Sequence, residues 1–458
     1  MLSESQSKKI VDFVLELCAK HTSKKHPAQA EVSITGSNVA TSRFANNEVT
    51  QNQAPDITTV ALRVLQDQRQ VRLETLDLSD KGLTKLVDSA FEAVKLLDRD
   101  EQILPLPSKS KKDKDDKLPV RYDKATASET AADRAQKIGE IISLAKASNL
   151  SAAGVYCTGA NFEAIGNSNG LFNYYRESSC ECSLTISKDG ITSWAKAHAP
   201  KALDIKVKDM TERVIAKTIK AQNPESLPPG KYMAILERAA VLDLLCQLWW
   251  DFSATSHIDK LSCLLDKVGQ KVFGDNVTIY DDVCHPLQCG SPFDGEGQAR
   301  MSLPLVQRGV LTGLVHSRQS AAKMQAKSTG HALPQPTGYG EMPANIVVEG
   351  GTSTIQDMLS LVQGKDVAVL LTRVWYVREV DPATKLITGM TRDGTFLVQN
   401  GAIVRPIKNL RFNISLLDLL NNIIAMGPSL RTAGEEGQPA VVPMMLVRDF
   451  NFTEGTRF

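Results

Sequence analysis

Long apolar runs are missing from this 458-residue chain. Val367–Leu371 and Met444–Val447 are among the longest, far short of the ~18 residues that cross a bilayer. Net charge is nearly missing as well, since 53 basic and 52 acidic residues leave only +1. So weak a field gives no general attraction to phosphate backbones or anionic lipid, and neither nucleic acid nor membrane is expected as a partner. The opening residues carry Asp12 and Glu16 inside their apolar pattern, which argues against a secretory leader. The eight cysteines show no disulfide-framework spacing and sit mostly beside apolar neighbours, which reads as reduced core thiols in a cytoplasmic protein.

The usual catalytic signatures are absent too. His21, His26, His198, His257, His285, His316 and His331 include no pair one helical turn apart with a glutamate beside it, the arrangement of helical zinc proteases. There is no Walker loop, and Gly295-Glu296-Gly297 lacks the third glycine of a dinucleotide fingerprint. No Gly-x-Ser-x-Gly elbow occurs. One cluster, His257, Cys263, Cys284, His285 and Cys289, has the donor types for a tetrahedral zinc, but its spacings match no CxxC pair and the expected reading is core and loop residues.

What is present is a folded-protein composition, 42% apolar and 23% charged, in a chain long enough for two or three domains at roughly 150 residues each. Helical spacing of Ile10, Val11, Val14, Leu15 and Cys18 predicts an opening helix over 5–20. Alternating β-branched runs over 31–76 predict a small antiparallel sheet, and the stripe Leu83, Leu86, Val87, Ala90, Phe91, Val94 a helix packed on it. Prolines and mixed charge over 105–119 read as a solvated linker. Asn46-Asn47, Val64 and Asp67 recur about 121 residues later as Asn167 with Asn169, Ile186 and Asp189, so an internal duplication is expected, two units in tandem joined by a helix over 129–147. Pro228-Pro229-Gly230 marks a second boundary. The expected fold is α+β: a first unit over 1–104, a linker over 105–125, a second unit over 126–224, and a β-rich, sandwich- or barrel-like domain over 225–458 that opens on one long helical stretch, 237–272.

Polar and basic residues embedded in strand-like runs are the remaining functional signal. Strand alternation would put Arg373, Trp375 and Val377 on one face, with Val374, Tyr376 and Arg378 on the other. Arginine beside aromatics suits recognition of a peptide or partner, and equally an ordinary solvent-facing strand. The candidate groove or interface residues are Arg43, Asn46, Asn47, Glu48, Asn167, Asn169, Arg373, Arg392 and Asp393, although paired asparagines are also common turn chemistry.

Ser42–Asn52 resembles the N-terminal signature of the TldD/PmbA (TldE) family, also labelled modulators of DNA gyrase. The resemblance continues in order through Ser291–Gly297, Gly309–Gly313, Lys327–Ala332, Gly350–Ser353, Val398–Lys408 and Gly434–Gln438. It implies a cytoplasmic heterodimer that cleaves small, modified or unfolded peptides, in which the TldD-type subunit carries zinc on a His-Glu-x-x-x-His helix plus a C-terminal cysteine. Here the corresponding helix, Leu242–Asp251, has no histidine, and the cysteine position falls near Ala433. The chain therefore resembles the non-catalytic TldE/PmbA side. No catalytic residue, metal ligand or cofactor is expected in it, zinc is expected in a TldD-like partner, and an extended peptide is expected to be held by strand addition. The alternatives are an autonomous metallohydrolase using the cluster at 257–289, and a gyrase-binding regulator.

Overall fold

The computed structural model describes residues 1–108 and 118–456. The first unit runs α1 (Glu4–Lys20), β1 (Ala28–Ser37), β2 (Ala40–Ala45), β3 (Glu48–Gln53), β4 (Ile57–Gln66), β5 (Arg69–Thr75) and α2 (Asp80–Ala93). Ser3 and Gln6 form a capping box that starts α1, which buries Val11, Val14 and Cys18. Ser79 caps α2, whose apolar stripe packs with α1 on one face of the strands. The second unit repeats the plan: α3 (Lys124–Ala127), α4 (Ala131–Ala147), β6 (Ser151–Asn167), β7 (Phe172–Lys188), β8 (Ile191–Ala199) and α5 (Val207–Lys220). Asp67 and Asp189 open equivalent hairpin turns at φ 51° and 49°, the left-handed region that such turns require.

The two units are not separate tandem bodies. β1 pairs antiparallel with β6 from Glu31↔Asn167 to Ser37↔Asn161, merging both copies into one eight-stranded sheet. The helix expected to join them is α4, which packs on β6 and α5 inside the second unit. The linker expectation also changes. Residues 109–117 lie outside the described residues, but Leu106 and Pro107, read as solvated, are buried against the sheet, because an apolar side chain between two prolines finds a slot there.

The C-terminal part contains β9 (Gly230–Leu236), α6 (Arg238–Leu245), α7 (Ala254–Ile258), β10 (Ile279–Asp281), β11 (Leu303–Gln307), β12 (Val310–Leu311), α8 (Arg318–Lys323), β13 (Ile346–Val348), α9 (Ile355–Ser360), β14 (Val367–Asp381) and β15 (Leu386–Gln399). It ends with β16 (Ala402–Pro406), β17 (Leu410–Ser415), α10 (Leu416–Asn421), β18 (Ile423–Met426), β19 (Leu430–Thr432), β20 (Ala440–Val442) and β21 (Met445–Gly455). The order β14-β9-β21-β17-β15, with β14 also paired to β15, closes a five-stranded barrel. A second, six-stranded sheet runs β12-β11-β10-β13-β20-β19. Leu236, Val369, Leu371, Leu397 and Val447 share one core, while Ile235, Ala368, Leu370, Val398 and Leu446 face another. Burial on both faces explains why these strands read as unbroken apolar runs. The long helix expected over 237–272 stops after α6. Cys246–Phe252 tightens into a 3₁₀ turn and Ser253 caps the short α7. Asp251 then holds the irregular chain beyond: its carboxylate accepts the Cys263 N–H and its carbonyl the Ser262 hydroxyl. No helix among the described residues is long and apolar enough to cross a membrane.

Candidate functional site

Where β14 and β15 leave the barrel they meet β8 of the second unit. Arg373 is buried at this seam, with Nη2 2.6 Å from Asp393 Oδ2, Nη1 3.0 Å from Glu435 Oε2, and its guanidinium 4.5 Å above the Trp194 ring. Asp393, at φ 57°, also accepts the Thr192 hydroxyl from β8. Arg392 stacks 3.8 Å over Trp375, and Trp375 meets Tyr376 edge to face. The alternation expected for this strand is broken. Register shifts at Leu371/Arg373 and Trp375/Arg378 insert extra residues, so Val374 and Val377 are both buried while Tyr376 turns outward at φ 56°.

Directly behind this cluster lies α6. The Asp243 carboxylate accepts the backbone N–H groups of Glu435, Glu436 and Gly437, each at 3.0 Å. Glycines permit this approach: a Cβ on Gly434 would stand 2.1 Å from Asp243 Oδ1, and one on Gly437 2.9 Å from Leu242 Cγ. Burial raises the Asp243 carboxyl against the lowering effect of those three donors. Cys246 donates its thiol to the Asp243 carbonyl, and burial pushes the thiol up to about 12. Ala433 lies buried beside the loop. The donor set therefore does not fit zinc. The carboxylate is committed to three amides, the thiol is far from thiolate, and imidazole is missing. In the sequence Asp243 is marked only as a carboxylate inside the apolar run Val241-Leu242-Asp243-Leu244-Leu245.

The remaining predicted residues divide between the two ends of β6. Asn46 and Asn47 form the β2–β3 turn at φ 51° and 63°; Asn47 Nδ2 donates to the Leu150 carbonyl and its Oδ1 accepts the Ala152 N–H. Arg43 and Glu48 flank that turn, exposed. Asn167 and Asn169 sit at the far end of this 17-residue strand, about 50 Å along it at ~3.3 Å per residue. Asn167 Oδ1 accepts the N–H groups of Asn169 and Leu171, while both amide nitrogens donate to carbonyls of the 106–107 segment. The structure brings Arg373, Arg392 and Asp393 together and leaves the asparagine turns apart from them.

The Cys/His cluster does not converge. His257 and Cys263 attach to Asp251, whereas Cys284 follows Asp282 and Cys289 faces Arg431. Burial raises the Cys263 and Cys289 thiols to about 12 and 11. Among the described residues no three His, Cys, Asp or Glu side chains are grouped so as to hold a metal ion.

Comparison with known proteins adds the following. Residues 30–94 match the model of the PmbA/TldA metallopeptidase domain 1, and residues 229–454 that of the PmbA/TldA metallopeptidase C-terminal domain. The chain is 24% identical over 448 residues to a metalloprotease PmbA homologue of Haemophilus influenzae, covering 93% of this chain and 92% of that one. It is 25% identical over 279 residues to metalloprotease PmbA of Escherichia coli O157:H7, covering 59% and 58%. TldE from Thermococcus kodakarensis has the same fold, with a TM-score of 0.84 at 18% identity, over 97% of this chain and all of that one.

Proposed function

This chain belongs to the PmbA/TldA metallopeptidase family, and from that premise we propose that it is the TldE/PmbA-like, non-catalytic subunit of a two-subunit peptidase. The observation that carries this role is Asp243: where the family resemblance calls for zinc ligands, a carboxylate is spent on three backbone amides of the 434–437 loop. A Lewis acid and its activated water are then the contribution of a TldD-like partner, and this chain contributes the wall of the cleft and a grip on extended peptide. Partly exposed Arg392, stacked on Trp375, suits such a wall, since arginines and aromatics dominate recognition surfaces, while buried Arg373 ties the strands behind them. The cytoplasm is the expected setting.

Native mass spectrometry of the tagged protein recovered from its own cells tests the assignment. A complex with a second subunit of similar mass and one zinc is the expected result. A lone chain or homodimer with its own stoichiometric zinc would overturn it.

A further inference from the structure

Residues 105–107, Pro-Leu-Pro, lie across the seam between the eight-stranded sheet and the C-terminal part without joining any strand. Side chains satisfy their whole main chain. Arg318 Nη2 donates to the Pro105 carbonyl at 2.7 Å, and Gln29 Oε1 accepts the Leu106 N–H at 2.6 Å. Asn169 Nδ2 donates to the Leu106 carbonyl at 2.7 Å, and Asn167 Nδ2 to the Pro107 carbonyl at 2.8 Å. The prolines bring no further N–H, and a residue before proline is held extended, so Leu104 and Leu106 keep the segment straight. Leu106 is 3% exposed.

The gripping groups are held in place by the fold. Asn167 is 2% exposed, and its oxygen is fixed by two turn amides, which aims its nitrogen at the segment. Arg318 is steered by Glu296, 3.5 Å away. Three successive carbonyls and one N–H read by side chains amount to recognition of an extended peptide through its backbone, with one apolar slot. Pro107 is buried, so another residue type there would bring in an N–H lacking a partner, which favours proline after the apolar residue.

We propose that Gln29, Asn167, Asn169 and Arg318 form an exchangeable binding groove for extended peptides with a Pro-apolar-Pro core, which the chain's own residues 105–107 occupy as a stand-in ligand. No strand ladder holds the segment, so it can leave without opening the sheet. The inference deepens the reading of this chain as a peptide-holding subunit. Its test needs no partner, so a failure of subunit pairing and a failure of the groove are told apart.

The test is fluorescence anisotropy of a labelled Ile-Leu-Pro-Leu-Pro-Ser peptide, the sequence of 103–108, against the full chain. Leu106→Asp, which cannot stay in the apolar slot, should bind the peptide at least tenfold more tightly than the unaltered chain, and adding Asn169→Ala should reverse the gain at least tenfold. Equal affinity for the unaltered chain and Leu106→Asp, or binding indifferent to Asn169→Ala, would overturn the proposal. Leu106→Ser runs alongside as the milder variant. Loss of cooperative unfolding in both would also overturn it, because the segment would then be a structural tie.

Discussion

Glu31 on β1 and Arg63 on β4 stand directly opposite in register, both buried, yet Arg63 Nη1 remains 3.8 Å from Glu31 Oε1 and equally far from Glu296 Oε1. Among the described residues neither Glu31 oxygen nor that nitrogen has a hydrogen-bond partner. Coulomb attraction at this distance does not offset burial, and the Glu31 carboxyl is pushed up from 4.5 to about 7, by desolvation first, with Arg63 opposing.

A consequence for pH follows. Between pH 4.5 and 7 the folded chain holds a proton at Glu31 that the unfolded chain has released, so this group's contribution to stability falls as pH rises through that window and is fully unfavourable above it. At about 1.4 kcal/mol per pH unit the effect is roughly 3 kcal/mol. Glu31→Gln should therefore gain stability relative to the unaltered chain on going from pH 5 to pH 8. Urea titrations of both at the two pH values measure this, and a difference that does not change with pH would contradict it.

Asp243→Ala orphans three amides and should cost roughly 2–4 kcal/mol. Asp243→Asn, retaining one acceptor oxygen, should fall between. Hydrogen exchange at Glu435–Gly437 should accelerate in both variants. Unchanged protection there would mean the loop is held by other contacts.

Arg373 neutralises Asp393 and Glu435 from a buried position, so Arg373→Met should destabilise by about 3–5 kcal/mol, and Arg373→Glu, which gathers three carboxylates, by more. A charge reversal that merely weakens peptide cleavage while leaving the fold intact is not the expected outcome. Thermal unfolding of the two variants distinguishes these possibilities.

On the proposed two-subunit reading, chelation should separate the two roles. Dialysis against EDTA should move the Tm of the isolated chain by less than about 1 °C while abolishing cleavage by the assembled pair. A large fall in Tm would indicate a structural metal in this chain.

The periodic elements were legible in the sequence. The opening helix, the alternating strands of the first sheet and the stripe Leu83–Phe91 carry their periods openly, and α1 and α2 run over Glu4–Lys20 and Asp80–Ala93. The repeat was legible because Asp67 and Asp189 occupy the same strained turn position. What could not be read was pairing at long range. Nothing local announces that β1 joins β6, that Asp243 waits for amides nearly two hundred residues onward, or that bulges at Arg373 and Trp375 undo the alternation. The halt of the long helix after Leu245 was hidden in the same way, since the apolar pattern continues while Asp251 recruits the backbone of 262–263.

The shared sheet has a mechanical meaning. Because β1 and β6 are laced together along seven residue pairs, Glu31↔Asn167 through Ser37↔Asn161, the duplicated halves form a single stiff plate, and neither can swing independently to admit a polypeptide. That plate is tied to the C-terminal part at several places, among them Arg63–Glu296, Trp194–Arg373, Gly290–Glu177 and Arg431–His198. An opening between plate and C-terminal part would have to break these ties together.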